Sequence, residues 1–161
     1  MQAVPPITGI SEIVLSVNDL TEMRDFYVRV LGFRLHSQLS LESLVPDPDG
    51  VPTIAFLSIS ETQTPLGLAG HPQLFVLIDH RRHVHARKRF AGHDVSRSTL
   101  NHLAFEIPPE SFGQHAKRLC DLGIEVSYAS FPAMNAKAVF FKDPEGNVLE
   151  LICHHPASIR S

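Results

Sequence analysis

The sequence predicts an α+β fold: two βαβββ modules in tandem, with mixed sheets curled around a central cleft. Three observations carry this reading. Short aliphatic runs bounded by turn residues alternate with two amphipathic helical stretches. The strand–helix–strand order occurs twice, about 90 residues apart, and each copy continues into two more strand runs. The expected organisation is one domain over 1–161, with module one at about 9–79, a connector at 80–99 and module two at about 100–153.

The first copy opens with Ile13-Val14-Leu15-Ser16-Val17, a β-branched and aliphatic strand. Asp19, with Glu22 three places on, resembles a capping box. Leu20, Met23, Phe26, Tyr27, Val30 and Leu31 recur at helical spacing, and Gly32 stands where a glycine ends a helix. A second strand begins at Phe33. In the second copy Leu103-Ala104-Phe105-Glu106-Ile107 is the first strand, and Pro108-Pro109 precedes a helix striped by Phe112, Ala116, Leu119 and Cys120. Gly123 ends that helix before a strand predicted at Ile124-Glu125-Val126. Glu12 matches His102 between the copies, and Leu31-Gly32-Phe33 matches Leu122-Gly123-Ile124.

The remaining strands are predicted at 53–59 and 74–78 in the first copy and at 138–141 and 148–152 in the second. Asp143-Pro144-Glu145-Gly146 has the proline and glycine of a tight turn joining the last pair, and Asp47-Pro48-Asp49-Gly50 is a similar turn. Between the copies, the basic, histidine-rich stretch 79–89 lacks an apolar stripe and reads as a solvated connector or short surface helix rather than a metal or anion patch.

Composition narrows the function classes. A chain with 43% hydrophobic and 19% charged residues is globular rather than disordered. A formal net charge of −3 lacks the basic footprint of a nucleic-acid binder. No apolar run is long enough to span a bilayer, and Met1-Gln2-Ala3-Val4-Pro5-Pro6 lacks the features of a signal peptide. Two cysteines, Cys120 and Cys153, are too few for a disulfide framework. The expectation is a cytoplasmic protein without nucleic-acid or membrane partners.

Strand alternation singles out three polar residues. With Ile13, Leu15 and Val17 under the first helix, Glu12 turns to the concave face. With Leu103, Phe105 and Ile107 under the second, His102 does the same, and Glu150 turns there between Leu149 and Leu151. A carboxylate centred in Val-Leu-Glu-Leu-Ile needs compensation for its lost hydration, from a metal or a buried cation. Two carboxylates and an imidazole suit Mn²⁺, Fe²⁺, Ni²⁺, Co²⁺ or Zn²⁺, and three protein ligands leave positions open for substrate.

These residues carry a resemblance. Residues 13–20, Phe26-Tyr27, Val30-Leu31-Gly32-Phe33, the run Leu100-Asn101-His102-Leu103-Ala104-Phe105-Glu106-Ile107 and the run from Phe141 to Leu151 make the chain similar to the vicinal oxygen chelate superfamily. That superfamily includes glyoxalase I, extradiol ring-cleaving dioxygenases, fosfomycin-resistance transferases and bleomycin-resistance proteins. The resemblance implies a divalent metal binding two neighbouring substrate oxygens, held by His102, Glu150 and Glu12, the last standing where the family normally has histidine. It also implies a homodimer acting on a small molecule. A further glyoxalase I ligand would fall in Leu74–Ile78, which is apolar here; its absence tilts the reading towards the dioxygenase arrangement. His71 lies near that branch's acid–base histidine and is a candidate catalytic residue, as is Glu12 if it acts as general base.

Two functions follow from the resemblance. One is a metal-dependent enzyme, either a ring-cleaving-type dioxygenase or a glyoxalase-like lyase or isomerase. The other is a metal-free ligand-binding protein of the bleomycin-resistance type, in which the same three residues are hydrogen-bonding groups.

Overall fold

A computed structural model describes residues 10–64, 71–87 and 94–154, with the side chains at 60–64 and 71–72 outside the description. The chain divides into two units, Met1–His93 and Asp94–Ser161, a division that falls inside the stretch read as a connector.

In the first unit the elements are β1 (Glu12–Val17), α1 (Leu20–Leu31), β2 (Arg34–Leu39), β3 (Ile54–Thr64) and β4 (His71–Asp79). They form one mixed sheet of order β1-β4-β3-β2. β1 runs parallel to β4, and the other pairs are antiparallel. The ends of α1 follow from its sequence. The Asp19 side chain accepts the Glu22 amide proton at 2.9 Å, satisfying one of the free donors of the first turn. Gly32 takes φ 75°, a left-handed conformation that costs glycine little, so the chain can reverse while the Phe33 amide returns to the Tyr27 carbonyl. One face of α1 buries Leu20, Met23, Tyr27 and Val30. Tyr27 packs between Phe75 of β4 and Phe33, with ring centroids 4.5 and 5.8 Å away. Each such large buried side chain contributes roughly 1.5–3 kcal/mol.

The second unit repeats the plan with β5 (Leu103–Glu106), α2 (Phe112–Asp121), β6 (Ser127–Phe131), β7 (Ala136–Lys142) and β8 (Val148–His154), in the order β5-β8-β7-β6. β5 is parallel to β8, and β7 is antiparallel to both β6 and β8. A 3-10 turn at Pro109–Ser111 leads into α2, whose buried residues are Ala116 and Leu119. Gly123 follows at φ 72°. The strand predicted at Ile124-Glu125-Val126 starts later, at Ser127. The reason is local: the Ile124 amide donates to the Leu119 carbonyl at 3.0 Å, so these residues still serve the end of the helix.

The basic stretch also departs from its reading. Residues 80–87 form turns built into the first unit, neither a solvated connector nor a helix. The Asp79 carboxylate accepts the Arg81 and Arg82 amides, His80 N–H donates to the Val17 carbonyl, and Val84 N–H donates to the Leu41 carbonyl at 2.8 Å. His83 and Ala86 are buried as a result. Periodicity has nothing to report here, because fixed turns rather than a helical stripe select the buried side chains. Among the described residues, no helix is long and apolar enough to cross a membrane.

Candidate metal centre

The site in the second unit is set by a hairpin and a parallel strand pair. In the turn between β7 and β8 the Asp143 Oδ1 accepts the Glu145 and Asn147 amides, and its Oδ2 accepts from Asn147 Nδ2 at 2.8 Å. Gly146 closes the turn on the Asp143 carbonyl at φ 87°. This closure fixes the register: Lys142 faces Val148 and Phe140 faces Glu150. On the other side, Ala104 of β5 pairs with Glu150. Leu149, Leu151 and Cys153 fill the buried face of β8, so alternation sends Glu150 to the opposite one. Glu150 is nevertheless only 3% exposed.

His102 meets it there. Its Nε2 lies 3.1 Å from Glu150 Oε2, and its side chain is 37% exposed, so the pair has one dry member and one that solvent reaches. The imidazole is held on two further sides. Its Nδ1 lies 2.7 Å from Asn101 Oδ1, and the Phe140 ring stands edge-on to it with centroids 5.8 Å apart. His102 and Glu150, both singled out in the sequence, lie together here, beside Asn101 and Phe140, which were not named there as site residues. The hairpin turn carried the signal for Phe140, since counting back from Asp143–Asn147 places it opposite Glu150.

This donor pair fits a borderline dication. Imidazole nitrogen and carboxylate oxygen bind such ions at about 2.0–2.2 Å, so two ligands at about 90–110° around one ion lie about 3.0–3.4 Å apart. The 3.1 Å separation falls in that range. Among the described residues, no group of three or more His, Cys, Asp or Glu side chains is gathered as a metal cluster.

The other predicted residues stand in the first unit. Glu12 is exposed at the start of β1, in register with Leu74 of β4. His71 begins β4 opposite Thr64, and its side chain lies outside the described residues. Register also defines what the first sheet places at the counterpart of Glu150. Val14 pairs with Val76 as Ala104 pairs with Glu150, and Phe56 faces Val76 as Phe140 faces Glu150. Buried Val76 thus stands where the second sheet has its carboxylate.

The comparisons agree with this architecture. Residues 9–151 match the family model of the Glyoxalase/Bleomycin resistance protein/Dioxygenase superfamily. The chain belongs to this superfamily. Its fold is similar to that of the genomically encoded fosfomycin resistance protein FosX from Listeria monocytogenes, at 20% identity and TM-score 0.61, over 93% of this chain and 96% of that one. It is also similar to lactoylglutathione lyase from Agrobacterium tumefaciens, at 19% identity and TM-score 0.58, over 92% and 96%. A third similar structure is a glyoxylase/bleomycin resistance protein/dioxygenase domain from Frankia, at 17% identity and TM-score 0.62, over 93% and 100%. One structure of the Listeria FosX is a complex with Mn(II) and sulfate. Comparison with curated proteins returns no match.

Proposed function

We propose that this protein is a divalent-metal-dependent enzyme acting on a small molecule with adjacent oxygen atoms, by ring-cleaving-type dioxygenase or glyoxalase-like lyase or isomerase chemistry. The observation that carries the reading is the buried Glu150 carboxylate meeting the partly exposed His102 imidazole. These two residues hold the ion. Glu12, which the repeat makes the counterpart of His102, is assigned as the third donor. The ion is iron, manganese, nickel, cobalt or zinc by donor chemistry. When bound, such an ion supplies Lewis-acid polarisation of substrate oxygens, and iron adds the capacity to use O₂.

The chain's own groups do the rest. Phe140 makes an edge-on ring contact with the imidazole. Glu12, if left free of the ion, is the carboxylate available to take a proton from a polarised carbon acid, and His71 is assigned as a further acid–base group. A homodimer in the cytoplasm completes the proposal.

One observation favours a second reading, a metal-free ligand-binding protein. His102 itself compensates Glu150, so burial of that carboxylate is accounted for by the imidazole. In that case His102, Glu150 and Glu12 bind the ligand by hydrogen bonds.

Metal content measured on protein purified without a histidine tag separates the two. The expected result is near-stoichiometric metal in the wild type after reconstitution, and loss of it in both His102→Ala and Glu150→Gln. A wild type that takes up none of the candidate ions would remove the enzyme reading and leave the binding protein.

A further inference from the structure

We propose that Asn101 is a positioning residue: its side-chain carbonyl takes the Nδ1 proton of His102 and so dedicates Nε2 to the site shared with Glu150. The inference rests on the metal reading above. A metal needs a free lone pair on one ring nitrogen, and the proton must then reside on the other. Which nitrogen is which follows from the partner of the second one. Here Nε2 faces Glu150 Oε2 at 3.1 Å, and Nδ1 faces Asn101 Oδ1 at 2.7 Å. An amide oxygen has lone pairs and no proton, so it is suited to accept Nδ1–H.

The arrangement also fixes the plane of the ring. Nδ1 is tethered at one edge, and the Phe140 edge contact meets the ring from another direction. Freed from Asn101, the imidazole could rotate about χ2 or present Nδ1 instead. Asn101 is exposed, so truncating it leaves the fold in place.

The test uses the full chain and three variants. Calorimetric titration with Mn²⁺ should show Asn101→Ala binding 10- to 100-fold more weakly than wild type, roughly the usual scale for losing the partner of a ligating histidine. Asn101→Asp, which keeps an acceptor oxygen in place, should restore most of the affinity. In the Zn²⁺-loaded protein, proton and ¹⁵N spectra of labelled histidine should show a solvent-protected Nδ1–H for His102. That signal should be lost or in fast exchange in Asn101→Ala and present again in Asn101→Asp.

Equal Mn²⁺ affinity and an unchanged Nδ1–H signal in Asn101→Ala would overturn the inference. So would an Asp variant that behaves like Ala. The control is His102→Ala: if it abolishes binding while Asn101→Ala does not, the metal reading stands and only the role of Asn101 fails. If wild type and His102→Ala titrate alike, or neither binds, both fail together.

Discussion

At the scale of single residues, Glu150 and His83 show two ways of burying an ionisable side chain. Glu150 meets an imidazole that solvent can still reach, whereas His83, 2% exposed, is sealed into the turns after β4. The His85 amide donates to His83 Nδ1 at 3.2 Å, which places the proton of the neutral ring on Nε2. That nitrogen is buried with no hydrogen-bond partner among the described residues. Burial holds the His83 pKa below its ordinary value, neighbouring His85 lowers it further, and Asp79 opposes both. The unfolded chain therefore binds this proton more readily than the folded one. Stability contributed by neutral His83 is complete above about pH 6.5 and is lost as the pH falls below it, at no more than about 1.4 kcal/mol per pH unit. His83→Asn offers an acceptor for the same amide and cannot titrate. Urea unfolding between about pH 7.5 and 5.5 should give this variant a shallower loss of stability than wild type. His115, lowered by burial and then by Arg118, keeps part of the slope in both proteins. Equal slopes would remove His83 as a source of the dependence. None of this was legible in the sequence, where His83 is one histidine in a charged run. Glu150 was legible because a charge centred in four aliphatic residues is conspicuous in any strand.

At the scale of elements, what the sequence announced was what local chemistry decides. Asp19 and Gly32 bound α1 at both ends, and the four-residue turn at Asp143–Gly146 joins β7 to β8 as expected. What it did not announce depends on partners remote in the chain or on competition between elements. The start of β6 moved because the end of α2 claimed Ile124, and residues 80–87 were ordered by carbonyls of Val17 and Leu41. The β7–β8 turn matters most for the site. A one-residue slip in its register would turn Glu150 to the buried face and Leu149 and Leu151 to the opposite one. Asp143 guards against this by accepting two backbone amides and one side-chain amide, all within a turn where Asp143 and Asn147 are buried. Asp143→Ala leaves those donors without this acceptor. The expected cost is about 1–3 kcal/mol in urea unfolding, with weaker metal uptake by protein that remains folded. Unchanged stability would show that the register is held by strand pairing alone. Asp49→Ala, in an exposed turn of similar sequence, should fall within about 0.5 kcal/mol of wild type and serves as the comparison.

At the scale of the whole molecule, one plan used twice yields unequal halves. Both units order their sheets identically, and register equates Glu12 with His102 and Val76 with Glu150. Among the described residues, the second unit sets the His102 imidazole against the buried Glu150 carboxylate, and a metal that binds this pair binds folded protein alone. Mass action then ties metal to stability. At a free ion concentration about 100 times the dissociation constant, the folded state gains about 2.7 kcal/mol. For a chain of this size, 1 kcal/mol moves the melting temperature by about 2–4 °C, so Mn²⁺ should raise it by about 5–10 °C. A chelator should reverse the rise, and Glu150→Gln should abolish it. If the two units melt separately, the transition that includes 94–154 should move. The histidines at 80, 83 and 85 supply the competing outcome, since His85 is exposed in the first unit and can collect metal unaided. A rise that survives in Glu150→Gln, or that moves only the transition of the first unit, would place the ion on that stretch. The His102–Glu150 pair would then be a metal-free recognition element.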